Sequence, residues 1–219
     1  MNKVLSNTFI LSTTLLIILL FDPLMRMINT EDNNTTDITL LESENAYLKE
    51  QMSLHLEYEN YPKIDNYKNI YAKIIFRDIY FFSDILTISR GSKDGLKANM
   101  AVINEIGLIG ITKTIDTNTS NVLLLTNGSV EISVMVNENY GILKSNGNEI
   151  FVSNIVSKSE FNVGDKVYTS GLGNLPSHIY VGEVREIIND NELELKLLLD
   201  NRSDLNKLKH VSVLVGDSK

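Results

Sequence analysis

After Ile70 the chain never settles into a long helical period; it alternates short apolar runs with glycine and asparagine turns. The pattern predicts about a dozen strands. They are Tyr71–Phe76, Ile85–Ser89, Ala101–Ile103, Leu108–Ile115, Asn121–Leu125, Glu131–Val136, Gly141–Leu143, Glu149–Val156, Lys166–Thr169, Tyr180–Ile188, Glu192–Leu199 and His210–Val215. Turn signals recur every ~8–12 residues, which is the spacing of β sandwiches and small barrels, not of βαβ units. A short helix is expected at Ser203–Leu208, with Ser203 as its cap and Asp204 in its first turn. This many strands is generous for one small barrel. Two small closed barrels are the natural solution, since closure removes sheet edges; one large sandwich is the alternative.

Composition then narrows function by exclusion. At 43% hydrophobic and 22% charged residues the chain is globular, and a net charge of −8 repels phosphate backbones, so nucleic acid is not an expected partner. The same charge gives no pull toward anionic lipid. With no cysteine there are no disulfides, thiolate metal sites or cysteine nucleophiles. His55, His178 and His210 are far apart in sequence, so no zinc site is expected, and no GxxxxGK[ST] phosphate loop occurs. No cofactor is expected.

Upstream of the strands the character changes. Val4 to Phe21 is an uncharged, mostly apolar run; as a helix it spans about 27 Å, close to a hydrocarbon core of roughly 30 Å. Lys3 and the free amine precede it and Asp22 follows, which favours a cytoplasmic N-terminus. Residues 1–28 are therefore predicted to be a cytoplasmic tip and an uncleaved transmembrane signal anchor. A cleaved signal peptide is the competing reading, but FDPLMRMINTED offers no Ala-x-Ala site. Either reading places the bulk of the chain outside the cytoplasm.

Residues 29–37 are a polar linker. In 38–61, Ile38, Leu41, Asn45, Leu48, Met52 and His55 follow a 3–4 spacing, the seam of a short coiled coil that ends before Pro62. A lone Asn at a core position is a device for setting register and strand number, so this helix is expected to pair with a second copy. Packing of a single amphipathic helix on its own domain is the alternative.

Within the β region, 70–219, the glycines Gly91, Gly95, Gly110, Gly164, Gly171, Gly173 and Gly182 are read as turns, bulges or close strand approaches. Asp94 and Asp165 are read as turn acceptors. Tyr71, Phe76, Tyr80, Phe81 and Phe82 form the densest aromatic group; barrel core is one reading, and a partner surface on Tyr80, Phe81 and Phe82 is the other. Ser170, His178 and Asp165 lie close in sequence, but two of the three fall in one predicted turn, and Tyr168 stands where a nucleophile elbow requires its first glycine. No catalytic residues are assigned.

Several segments together resemble the rod shape-determining MreC family. They are Leu86 to Leu96, with its Gly91-Ser92-Lys93-Asp94-Gly95 turn; Met100 to Ile103 followed by Gly107-Leu108-Ile109-Gly110; and Ser120 to Thr126. The strongest is Gly164 to Gly173, which includes Ser170 and continues through Pro176 to Val181-Gly182-Glu183-Val184. Asp204 to Leu208 ahead of Val211 to Leu214 completes the series, and Glu44-Asn45 with Leu48-Lys49 resembles the family's coiled-coil repeat. One departure is His178, which stands where the family usually has glycine. The resemblance implies two six-stranded β barrels of trypsin-like topology without protease activity, divided near residue 100, with C-terminal strands available to complete the first. It implies a bitopic bacterial membrane scaffold of the cell-elongation machinery that supports rod shape and lateral peptidoglycan synthesis by dimerising and organising wall-synthesis enzymes. Implied partners are MreD, MreB, the elongation transpeptidase (a class B penicillin-binding protein) and its glycosyltransferase RodA. A membrane-anchored surface binding module and a serine-type hydrolase of wall polymer are the competing functions.

The seam leads to a first prediction. Sedimentation equilibrium of the ectodomain should show self-association that Leu48→Asp abolishes; a wild-type ectodomain that stays monomeric at high concentration, even when tethered, counts against pairing.

Overall fold

A computed structural model of the chain describes residues 21, 23, 38–49, 52, 58–77, 85–156, 160–189, 194–201, 203 and 207–216. The predicted anchor lies almost wholly outside them, as do the linker 29–37, His55, and Tyr80, Phe81 and Phe82. Among the described residues no helix is long and apolar enough to cross a membrane. Of the helix predicted at Ser203–Leu208, Ser203, Lys207 and Leu208 are described, and none is helical.

The chain divides into two compact units, Met1–Leu56 and Glu57–Lys219. In the first, residues 38–49 are helical, and every described side chain in that stretch is exposed.

The second unit holds strands β1 (Tyr67–Arg77), β2 (Ile85–Ile88), β3 (Ala101–Ile103), β4 (Leu108–Ile115), β5 (Ser120–Leu124), β6 (Ile132–Val136), β7 (Asn139–Ser145), β8 (Ile150–Val156), β9 (Lys166–Ser170), β10 (Ser177–Asn189), β11 (Glu194–Asp200) and β12 (His210–Gly216). Each coincides with one of the predicted runs. They form two closed barrels, ordered β1-β12-β3-β4-β5-β2 and β10-β11-β8-β7-β6-β9, with every pairing antiparallel. The fold is thus mainly β with two six-stranded barrels. If β12 is counted as the first strand of barrel 1, both barrels have the same neighbour order. Barrel 1 is therefore a circular permutation of barrel 2, and barrel 2 is inserted between β5 and the strand that closes barrel 1.

This arrangement corrects the division near residue 100. The change of barrel falls between Leu124 and Ile132, because β3, β4 and β5 close barrel 1. Without them β1, β2 and β12 would leave open edges, with backbone donors and acceptors unpaired.

The interior shows why some runs are continuously apolar while others alternate. On β6, Ile132, Val134 and Val136 are buried and Ser133 and Met135 are partly exposed, the period of a wall with one dry face. On β5, Val122 and Leu124 fill barrel 1, while Leu123 joins the core of barrel 2. Alternation across β3, β4 and β12 does the same: Val102, Ile109 and Val213 point into barrel 1, and Ile103, Leu108 and Leu214 belong to the larger cluster. Where both faces are dry the sequence loses the polar half of the pattern, which returns at exposed Lys113 and Thr114 of β4. The barrels share one apolar core along this seam.

Polar groups at the seam fix its register. Asn104 is 1% exposed; its Oδ1 accepts the N–H groups of Ile106 and Gly107, each at 2.9 Å, and its Nδ2 donates to Ser203 Oγ at 3.1 Å. Beside it a Cβ on Gly107 would stand 2.2 Å from the Tyr180 carbonyl oxygen, so the β3–β4 turn packs backbone to backbone on barrel 2.

His178 sits at a bulge in β10, where pairing with β9 jumps from Ser177↔Ser170 to Tyr180↔Tyr168. Its φ is 65°, the left-handed conformation that glycine enters freely. The turn is formed despite the substitution, at a conformational cost.

Two stability measurements follow. His178→Gly should raise the denaturant midpoint by an increment worth about 0.5–1 kcal/mol, the relief of left-handed strain less the extra freedom of glycine in the unfolded chain. Asn104→Ala should lower it by about 1–3 kcal/mol, because the buried Gly107 N–H loses its acceptor while the part-buried Ile106 N–H can turn to water.

Candidate functional site

The buried side chains of the barrels are mostly hydrocarbon, with Thr112, Ser120, Thr169 and Ser212 among the buried polar ones. Among the described residues no group of His, Asp or Glu could hold a metal ion.

The Gly164–Gly173 motif is structural at its base. Asp165 Oδ2 accepts from the Asn162 N–H at 2.8 Å and from Asn137 Nδ2 at 2.6 Å. Ser170 Oγ lies 2.9 Å from Ser133 Oγ and accepts the Leu172 N–H at 3.1 Å. Asp165 and Ser170 flank opposite ends of β9, about 16 Å apart for an extended strand. The trio Ser170, His178 and Asp165 is therefore not brought together as a triad. Buried Thr169 ties the following loop across its neck, donating to the Pro176 carbonyl at 2.6 Å and accepting the Ile179 N–H at 2.9 Å.

That loop, Gly171 to Pro176, separates two clefts. One, of about 290 Å³, lies among Asn99 and Ile111 of barrel 1, Glu131 and Ser133 of barrel 2, and Leu172. The other, of about 710 Å³, lies between Lys63–Tyr67 and Pro176–His178. The remaining predicted turn residues divide by geometry. Gly95, Gly164, Gly171 and Gly173 have φ between 77° and 117°. A Cβ on Gly91, Gly110 or Gly182 would meet a carbonyl oxygen at 2.4, 2.2 or 2.6 Å. Asp94 Oδ2 accepts the Gly91 N–H at 3.0 Å.

A third surface is not apparent from sequence. Tyr140 on β7 pairs with Met135 on β6, Met135 with Tyr168 on β9, and Tyr168 with Tyr180 on β10. Neighbouring strands are about 4.8 Å apart, so the four side chains form a row about 14 Å long on the outside of barrel 2. Tyr140 is 55% exposed, and Tyr168 meets Tyr180 edge to face at 5.9 Å. Lys144 and Glu131 pair at 3.2 Å on the same barrel, an exposed contact of little energetic weight. Aromatic and methionine side chains on a polar surface are the usual anchors of protein interfaces.

The fourth surface is the seam of the 38–49 helix and Met52. Ile38, Leu41, Leu48 and Met52 are each 54–67% exposed, and Asn45 Nδ2 turns back to the Leu41 carbonyl at 3.0 Å.

Comparison with known proteins agrees with this architecture. The family described as "Rod shape-determining protein MreC, barrel core" matches residues 74–215. The cell shape-determining protein MreC of Listeria monocytogenes is 31% identical over 189 residues, covering 82% of this chain and 62% of that protein. The Bacillus subtilis protein of the same name is 29% identical over 194 residues, covering 81% of this chain and 65% of its own length. The chain thus spans somewhat under two thirds of these relatives. A solved MreC structure from Listeria is similar with a TM-score of 0.66 at 29% identity, covering 84% of this chain and 92% of that one. A complex between penicillin-binding protein PBP2 and MreC from Helicobacter pylori is similar with a TM-score of 0.57 at 25% identity, covering 69% of this chain and 100% of that one. With a family match over residues 74–215 and relatives of that name covering about four fifths of it, the chain belongs to the rod shape-determining MreC family.

Proposed function

We propose that this protein is a non-enzymatic bitopic scaffold of the bacterial cell-elongation machinery, anchored through residues 1–28 with its barrels outside the cytoplasm. The observation that carries the reading is the exposed seam of Ile38, Leu41, Leu48 and Met52. A solvated helix gains little by holding apolar side chains on one stripe unless a second helix covers them. Tethering raises the local concentration of such a short helix, which favours pairing. Asn45 at the seam then selects register and strand number, its side chain leaving the Leu41 carbonyl for its counterpart across the dimer.

The barrels in this reading are the docking platform. The row Tyr140, Met135 and Tyr168 supports an apolar contact with the elongation transpeptidase, and a penicillin-binding protein, PBP2, is the partner named in the H. pylori complex. Phe76, 62% exposed at the end of β1, leads into Tyr80, Phe81 and Phe82, proposed as a second partner surface. RodA would be engaged together with the transpeptidase, MreD within the membrane, and MreB on the cytoplasmic side.

Replacement in cells tests the scaffold. Depletion should round the cells, wild type should restore rod shape, and Leu41→Asp/Leu48→Asp should fail to do so at equal protein level; full rescue by the double variant would remove pairing from the function. Surface plasmon resonance tests the platform. Tyr140→Glu/Tyr168→Glu should weaken binding of the cognate transpeptidase ectodomain at least ~10-fold, the scale of losing an interface anchor, with thermal unfolding unchanged.

A further inference from the structure

The segment that brings the chain onto the barrels is held more firmly than a linker. Tyr58 stacks on Tyr71 of β1, with ring centroids 4.0 Å apart and an interplanar angle of 15°. Tyr61 meets Tyr58 edge-on at 6.1 Å and Tyr71 at 5.6 Å, and His210 of β12 closes the group at 6.0 Å from Tyr58. Edge-to-face and offset-stacked rings are the favoured geometries of aromatic pairs. The polar ends are used as well. Tyr71 Oη donates to the Tyr58 carbonyl at 3.0 Å, and Tyr61 Oη donates to the His210 carbonyl at 3.1 Å. Asn69 Nδ2 donates to the Pro62 carbonyl at 3.2 Å.

This cluster sits on the wall shared by the barrels. Tyr61 is 2% exposed and belongs to the inter-barrel core, with Tyr58, Ile64, Tyr67 and Tyr71 packed against it. A free tether has no reason to bury a tyrosine, to have two of its carbonyls met by side chains of β1, or to donate a hydroxyl to the His210 carbonyl of β12. Such contacts are a net gain only if they outweigh the loss of chain freedom over these residues.

We infer that Tyr58–Pro62 is an aromatic clasp, a conformational device that makes the chain's point of entry part of barrel 1. Tension or rotation arriving from upstream then acts directly on β1 and β12. Both strands border the shared core, and β12 also closes the barrel, so the load passes to the platform and is not taken up by a loose joint. The clasp does not depend on whether the upstream helix pairs.

The chain has no cysteine, so spin labels go only where cysteines are introduced. In the full chain, diluted with excess unlabelled protein so that each labelled copy is read alone, labels at Glu59→Cys and Lys113→Cys should give a single narrow distance distribution. Tyr58→Ala should broaden it at least twofold, while a control pair at Lys113→Cys and Lys166→Cys keeps its width. Tyr71→Phe removes only the hydroxyl that reaches Tyr58 and should broaden the first pair by about half as much; it decides the matter if Tyr58→Ala also broadens the control. A distribution that is already broad in wild type, or one that neither variant changes, overturns the clasp.

Discussion

The structure depends on closure of the backbone hydrogen-bond ring around each barrel. An extended strand carries unpaired donors and acceptors on both edges, and a six-stranded ring satisfies them without a partner chain. In barrel 2 the ring is built from one continuous stretch, β6 to β11. In barrel 1 it cannot close until β12 arrives from the far end of the chain and enters between β1 and β3. Barrel 1 is therefore closed by a strand that lies beyond barrel 2 in the sequence, and the long-range β1–β12 pairing joins the two ends of the second unit.

Closure also explains why the barrels do not behave as beads on a string. β3, β5, β12 and the first half of β4 bury apolar side chains on both faces, one filling barrel 1 and the other completing the core of barrel 2. The Asn104 turn and the bare backbone of Gly107 let the two walls approach without trapping an unpaired amide. The result is a pair of barrels with a common apolar wall. A scaffold benefits from this arrangement, because surfaces on a rigid body keep their spacing when one of them is loaded.

The candidate surfaces differed in how far they could be read from the chain. The helix over 38–49 was legible, because a 3–4 apolar spacing is a local property of the chain. The turn motifs were legible for the same reason, including the place of His178, where a bulge in β10 requires a left-handed residue. The row Tyr140, Met135, Tyr168 and Tyr180 was hidden. Its members come from four strands and meet only through register, so no window of sequence contains it. The densest aromatic run in the sequence, Tyr80, Phe81 and Phe82, lies outside the described residues. Asn104 carried a faint signal, an asparagine three residues before a glycine between apolar runs, but its link to Ser203 spans 99 positions.

Sequence alone determined the strand runs, the turn chemistry, the helix seam and the family, because each depends on residues within a few positions of one another. Tertiary structure decided which strands share a barrel, where one barrel ends and the next begins, which faces are dry, and how the entering chain is clasped to β1 and β12. Those outcomes depend on pairing between distant segments. Antiparallel strands of similar apolar content can satisfy one another in many orders, and only the requirement to close both rings while burying a common wall selects the observed one.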